Sequence, residues 1–118
     1  MEKYVEVIRR SVELVETCIE GLHHIRAGLR EGVFEETMYL FEDIVYGYCK
    51  IAEFLPVLDS FLADDRLKTI TLEVEEAMQH MLTAYEYCDI NKASNILDHQ
   101  VIPAFQLWSA EMTTLFAS

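Results

Sequence analysis

Glu20 and His23 in "EGLH" stand three positions apart, the ExxH spacing with which helical bundles hold iron or manganese. Such a site needs both side chains turned inward and a second copy of the element. At about 100° per helical residue, Glu20 lies nearly opposite the face made by Ser11, Cys18, Leu22 and Leu29, and His23 lies well off its centre. No second ExxH follows; His24 and His99 are expected to project outward and His80 to sit on a flank. The spacing therefore predicts no metal site.

Two carboxylate pairs come next. Glu73 and Glu76 in "EVEE", and Glu86 and Asp89 in "EYCD", have the ExxE and ExxD spacings with which all-helical nucleotide pyrophosphatases bind magnesium. A hard cation needs several oxygens converging from neighbouring helices. Here both pairs fall on one expected helix and project differently, with Glu86 almost opposite its apolar stripe, so convergence is not expected. A magnesium-dependent nucleotide hydrolase using Glu73 and Glu76 is the alternative function. The three cysteines, Cys18, Cys49 and Cys88, are an odd number with no CxxC spacing, and Cys18 and Cys88 fall on expected core positions. They read as reduced, packed thiols. Nothing in so acidic a chain would depress the pKa of Cys49 for nucleophilic work. With no GxSxG, P-loop or glycine-rich phosphate cradle, no catalytic residue, cofactor-binding residue or metal ligand is assigned, and the chain reads as a non-enzyme.

The elements that would carry these residues are helices. From Tyr4 the series Ile8, Ser11, Val15, Cys18, Leu22, Ile25 and Leu29 alternates spacings of three and four, a seam over the first helix, and Gly32 is a plausible stop. A second helix carries Phe34, Phe41, Val45, Tyr48, Ala52 and Leu55, with Pro56 late in it and "VLDSFL" beyond. Asp64 or Asp65 suits the cap of a third, whose stripe is Leu67, Ile70, Val74, Ala77, Met81, Ala84 and Cys88. Asp89 or Asn91 caps a fourth, with Leu97, Val101, Ala104, Trp108, Met112 and Leu115. The ranges are approximately 3–30, 33–61, 65–88 and 91–117. Four long amphipathic helices with short polar connections predict one all-α domain over 1–118, an antiparallel up-and-down four-helix bundle. Proline kinks are expected in helices two and four. In the fourth, a single helix bent at Pro103 is weighed against a new helix starting there after an extended Ile102.

Nine lysines and arginines against 21 aspartates and glutamates leave a net charge of −12. Residues 33–62 and 63–89 carry −5 each, and the two flanks −1 each. That sign excludes a protein that tracks nucleic-acid phosphates and fits a solvated acidic face or a basic partner. No apolar run is long enough to insert in a membrane, and no signal-peptide core follows "MEKYVEVIRR", so a cytoplasmic location is expected.

Two surfaces are more apolar than an isolated bundle needs. On helix two, Tyr39, Tyr46, Phe54 and Val57 fall on or near the outer face, around Gly47. On helix four, no charged residue stands between Asp98 and Glu111, leaving His99, Gln106, Ser109 and Ala110 outside. Interface candidates are thus Tyr39, Tyr46, Phe54, Val57, His99, Ile102, Gln106 and Trp108, the last as an anchor or as a core indole. The implied partner is another protein, a second copy in a homodimer, or both; no cofactor is called for.

The stretch "DINKASNILDHQVIPAFQLW" resembles the last helix of a family of short helical proteins of Gram-positive bacteria. There an aspartate opens the helix, and an isoleucine-proline is followed by a tryptophan five residues on. Asp89, Asn95, Leu97, Asp98, Ile102, Pro103 and Trp108 carry the likeness, with Asn95 where the pattern has aspartate and His99 where it has tyrosine. The resemblance implies a helical bundle without established activity, in some members a companion of motility or surface-modification systems. Size, acidity and four helices are also similar to flagellar export chaperones, although their N-terminal signature is missing. The expected function is a non-catalytic, homodimeric protein-interaction module, an adaptor or chaperone.

Overall fold

The first helix stops because Gly32 takes a φ of 82°, a left-handed conformation that a residue without a Cβ adopts cheaply. Its N–H donates to the Leu29 carbonyl (3.2 Å), and the Val33 N–H reaches back to that of Gly28 (2.9 Å). This paired closure satisfies carbonyls that the helix end leaves open. The structure, a computed structural model, describes residues 2–59 and 65–117, with side chains at 5–56 and 65–114. It contains four helices and, among the described residues, no strand. They are α1 (Glu2–Arg30), α2 (Phe34–Asp59), α3 (Arg66–Glu86) and α4, which runs as Ile90–Ile96, a π-helical turn Leu97–Val101, and Ile102–Ala117.

The α3–α4 turn repeats the first closure with a different residue. Cys88 N–H donates to the Tyr85 carbonyl and Asp89 N–H to that of Ala84, with Cys88 at a φ of 53°. The expected place of Cys88 in the core is corrected accordingly. The chain leaves the helix at Glu86, two residues before the apolar stripe would have reached it, and Cys88 is exposed. Asp89 caps α4 as anticipated, its Oδ1 accepting from the Lys92 N–H at 3.0 Å. Asp65 precedes α3 but makes no such bond. Asp64 lies outside the described residues.

α1 packs chiefly on α2 and α4, and α3 on α4 and less closely on α2. Side chains meet in opposing order along sequential helices. Gly28 faces Thr37 while Gly47 faces Cys18, and Tyr85 meets Thr37 and Phe34. Trp108 meets Thr71, and Glu111 meets Arg66. A Cβ on Gly28 would stand 2.7 Å from Thr37 Cγ2, so the close α1–α2 approach depends on glycine there. Gly47, expected among outward residues, is instead buried against Cys18 of α1.

The core joins Val15, Leu22 and Ile25 of α1 with Phe41 and Ile51 of α2, Leu67, Val74 and Met81 of α3, and Leu97, Phe105, Trp108 and Met112 of α4. Fully burying each such side chain contributes about 1.5–3 kcal/mol. The α1 seam lies inside from Ser11 to Leu29 as read, and α3 does so from Leu67 to Ala84. Tyr4 and Leu115 fall outside the residues whose side chains are described. On α2 the buried series is Thr37, Phe41, Ile44, Tyr48, Ile51 and Leu55, whereas Phe34, Val45 and Ala52 are only partly covered.

In α4 the helix passes through Pro103 without breaking. Ile102 is right-handed helical (φ −61°, ψ −49°), not extended, and its N–H donates to the Leu97 carbonyl five residues back. Proline offers no N–H to the carbonyl four residues earlier, that of His99, and its ring crowds that oxygen. Widening one turn relieves the crowding. The buried face takes in Ile102 and Phe105, while Val101, Trp108 and Met112 lie on it as expected. Phe105 is fully buried, and Ala104, expected in the stripe, is half-exposed. α2 likewise runs three residues beyond Pro56, which is exposed.

Candidate functional site

The π turn and Pro103 help shape a groove of about 400 Å³ on the outer side of the α3–α4 pair. α3 supplies Glu73, Glu76 and His80, and α4 supplies Gln100, Pro103 and Leu107, over a floor of Ala77 and Ala104. Side chains at 73, 76, 77 and 80 share one side of a helix because their spacings of three and four return near the same angle. Across the groove His80 Nδ1 lies 2.7 Å from Gln100 Oε1. A carbonyl oxygen only accepts, so Nδ1 donates the hydrogen in this contact. Farther along, Arg66 Nε donates to Glu111 Oε2 at 2.9 Å and ties the two helices together.

Of the two carboxylate pairs, which the angular reading has projecting differently from each other, Glu73 and Glu76 line this groove. Glu86 is exposed and does not line it. Glu20 is exposed as well, and His23 Nδ1 accepts from Arg26 Nη2 at 3.0 Å. Among the described residues no three of histidine, cysteine, aspartate and glutamate are grouped so as to hold a metal ion.

The interface candidates separate by depth. Tyr39, Tyr46 and Phe54 are 62%, 64% and 41% exposed, with Lys50 Nζ 5.3 Å from the Tyr46 ring centroid. His99 and Gln106 are exposed; Val57 lies outside the described side chains. Ile102 is corrected to a core residue, and of its two expected roles Trp108 takes that of a core indole. The π turn carries Ile102 inward beside Val101, and Trp108 has no exposed surface. Its indole packs on Tyr48 and Phe105.

Two buried hydroxyl relays had no sequence forecast. Trp108 Nε1 donates to Thr71 Oγ1 (3.0 Å), which donates to the Leu67 carbonyl (2.7 Å). Tyr85 donates to Thr37 Oγ1 (3.0 Å), which donates to the Phe34 carbonyl (2.6 Å). A threonine inside an apolar stripe, with a polar aromatic on a neighbouring helix, is the one signal that could have pointed to them. Burial pushes the Cys18 thiol up to about 11, whereas Cys49 and Cys88 are exposed. Burial, and then the Glu75 carboxylate, push Tyr48 up to about 12. Asp98 Oδ1, in the π turn, is shielded from solvent and finds no hydrogen-bond partner among the described residues.

No helix among the described residues is long and apolar enough to cross a membrane. A family model described as a domain of unknown function, DUF8042, matches residues 6–111. No curated protein and no solved structure matches the chain.

Proposed function

From the premise that the chain belongs to the DUF8042 family, we propose that it is a protein-interaction module that acts without catalysis. One observation carries the reading. His99, Gln100, Pro103, Gln106, Leu107 and Ala110 of α4 are all exposed, and none is charged. Solvated helix faces carry lysine and glutamate, whereas an uncharged strip beside a groove suits a protein contact. The aromatic side of α2, with Tyr39, Tyr46 and Phe54, suits the contact between two copies of a homodimer. A cytoplasmic adaptor or chaperone serving bacterial motility or surface modification is the finer form of this proposal, supported by the resemblance of the last helix.

Crosslinked co-purification from the source organism, read by mass spectrometry, tests the module, and light scattering on the eluting protein tests the dimer. A crosslinked partner mapped to α4 and lost in Leu107→Glu is the expected result. A chain that is monomeric and crosslinks to nothing overturns the reading.

The hydrolase alternative is favoured by one observation, that Glu73 and Glu76 share a groove. Two carboxylates leave most of a magnesium shell to water and substrate phosphates. Magnesium-dependent turnover of a nucleotide panel, abolished by Glu73→Ala/Glu76→Ala, would replace the interaction reading with this one.

A further inference from the structure

The groove between α3 and α4 has a chemical bias that limits what can occupy it. Its polar wall is mostly acceptors, the Gln100 amide NH2 apart. Glu73 and Glu76 are carboxylates, and the Nδ1–H of His80 is taken up by Gln100 Oε1. No lysine or arginine stands among its lining residues. The nearby bridge of Arg66 to Glu111 lies outside that lining. Ala77, Pro103, Ala104 and Leu107 make the rest of the surface apolar, and Leu107 is 41% exposed. An occupant must therefore bring hydrogen-bond donors, positive charge and an apolar stem together.

We propose that this groove receives an arginine of a protein partner, flanked by an apolar residue that lies on Pro103 and Leu107. Guanidinium fits better than ammonium. Its planar fork of donors can meet a carboxylate with two parallel hydrogen bonds, and its weak hydration lowers the cost of leaving water. The three methylenes of the side chain match the alanine and proline floor. The local charge favours a basic partner at this groove, because residues 63–89, which include its α3 wall, carry −5. The inference rests on the interaction reading and names the partner's chemistry.

The test uses the full chain and two synthetic peptides. One is an amphipathic peptide with a single arginine between two leucines, and the other has citrulline, the uncharged isostere, in its place. Binding is followed by NMR amide shifts and by fluorescence anisotropy. The expected result is shifts at Glu73, Glu76, His80, Gln100 and Leu107 with the arginine peptide. Citrulline, or Glu73→Gln/Glu76→Gln in the protein, weakens binding about tenfold or more, as expected when charge-assisted hydrogen bonds are lost. Added salt weakens the arginine peptide and leaves the citrulline peptide unchanged. Equal binding of the two peptides, shifts confined to α2, or no binding of either overturns the proposal. A partner recovered by crosslinking that still binds Glu73→Gln/Glu76→Gln sinks the groove while leaving the interaction module standing. A chain that crosslinks to nothing sinks the module itself.

Discussion

Thr71 is small, yet it decides whether the one tryptophan can be buried. An indole N–H left without an acceptor in the core costs about 1–3 kcal/mol. Thr71 accepts from Trp108 and passes its own hydrogen to Leu67, so neither group is orphaned. Thr71→Val keeps the volume and removes the acceptor, and is expected to lower stability by that amount. Thr71→Ser keeps the hydroxyl and is expected to lose less. Urea unfolding followed by Trp108 fluorescence checks this, and equal stabilities would mean that the relay contributes nothing. Periodicity could place Trp108 near the core, but not name its partner. The hydroxyl becomes visible only when α3 and α4 are set side by side.

Helices were read most accurately where geometry stays regular. The α1 seam, from Ser11 through Leu29, follows alternating spacings of three and four, and burial follows it. On α2 an equally regular series from Thr37 to Leu55 was available, but Thr37 is polar and Phe34 and Val45 competed for the stripe. On α4 the miss had a different cause. Val101, Trp108 and Met112 lie inside as expected, but the π turn brings Ile102 and Phe105 into the core where Ala104 was expected, and the amino-acid string marks that turn only by Pro103. Pro103 is exposed, so Pro103→Ala removes no core contact. It restores an N–H and removes what the π turn leaves of the roughly 3 kcal/mol proline penalty in a helix interior, against a loss of about 0.4–1 kcal/mol from a freer unfolded chain. The expected outcome is a thermal midpoint raised by several degrees. A lowered midpoint would show that the π turn is held by core packing independently of the proline. The groove was the least legible feature, because it depends on the offset between two helices.

The whole molecule measures 46 × 21 × 19 Å, a length set by α1. Its buried acids predict how it responds to alkali. Burial raises Cys18 from 9.0 to about 11 and, with Glu75, Tyr48 from 10.0 to about 12. In both cases the fold keeps a proton that the unfolded chain surrenders earlier. Stability is therefore at its full value below pH 9.0 and falls as pH rises toward 11 for the thiol and from 10.0 toward 12 for the phenol. Urea midpoints across that range should decline, and Cys18→Ala should flatten the first part of the fall; a decline unchanged in that variant would assign it elsewhere. The two threonine relays also matter at this scale. An apolar seam that repeats every seven residues cannot distinguish its native alignment from one slid by about 10 Å. Thr71 and Tyr85 sit 14 positions apart on α3, and each binds a different neighbour. Sliding α3 along the bundle would strand both bonds at once, so the relays act as an address that the oily surfaces lack.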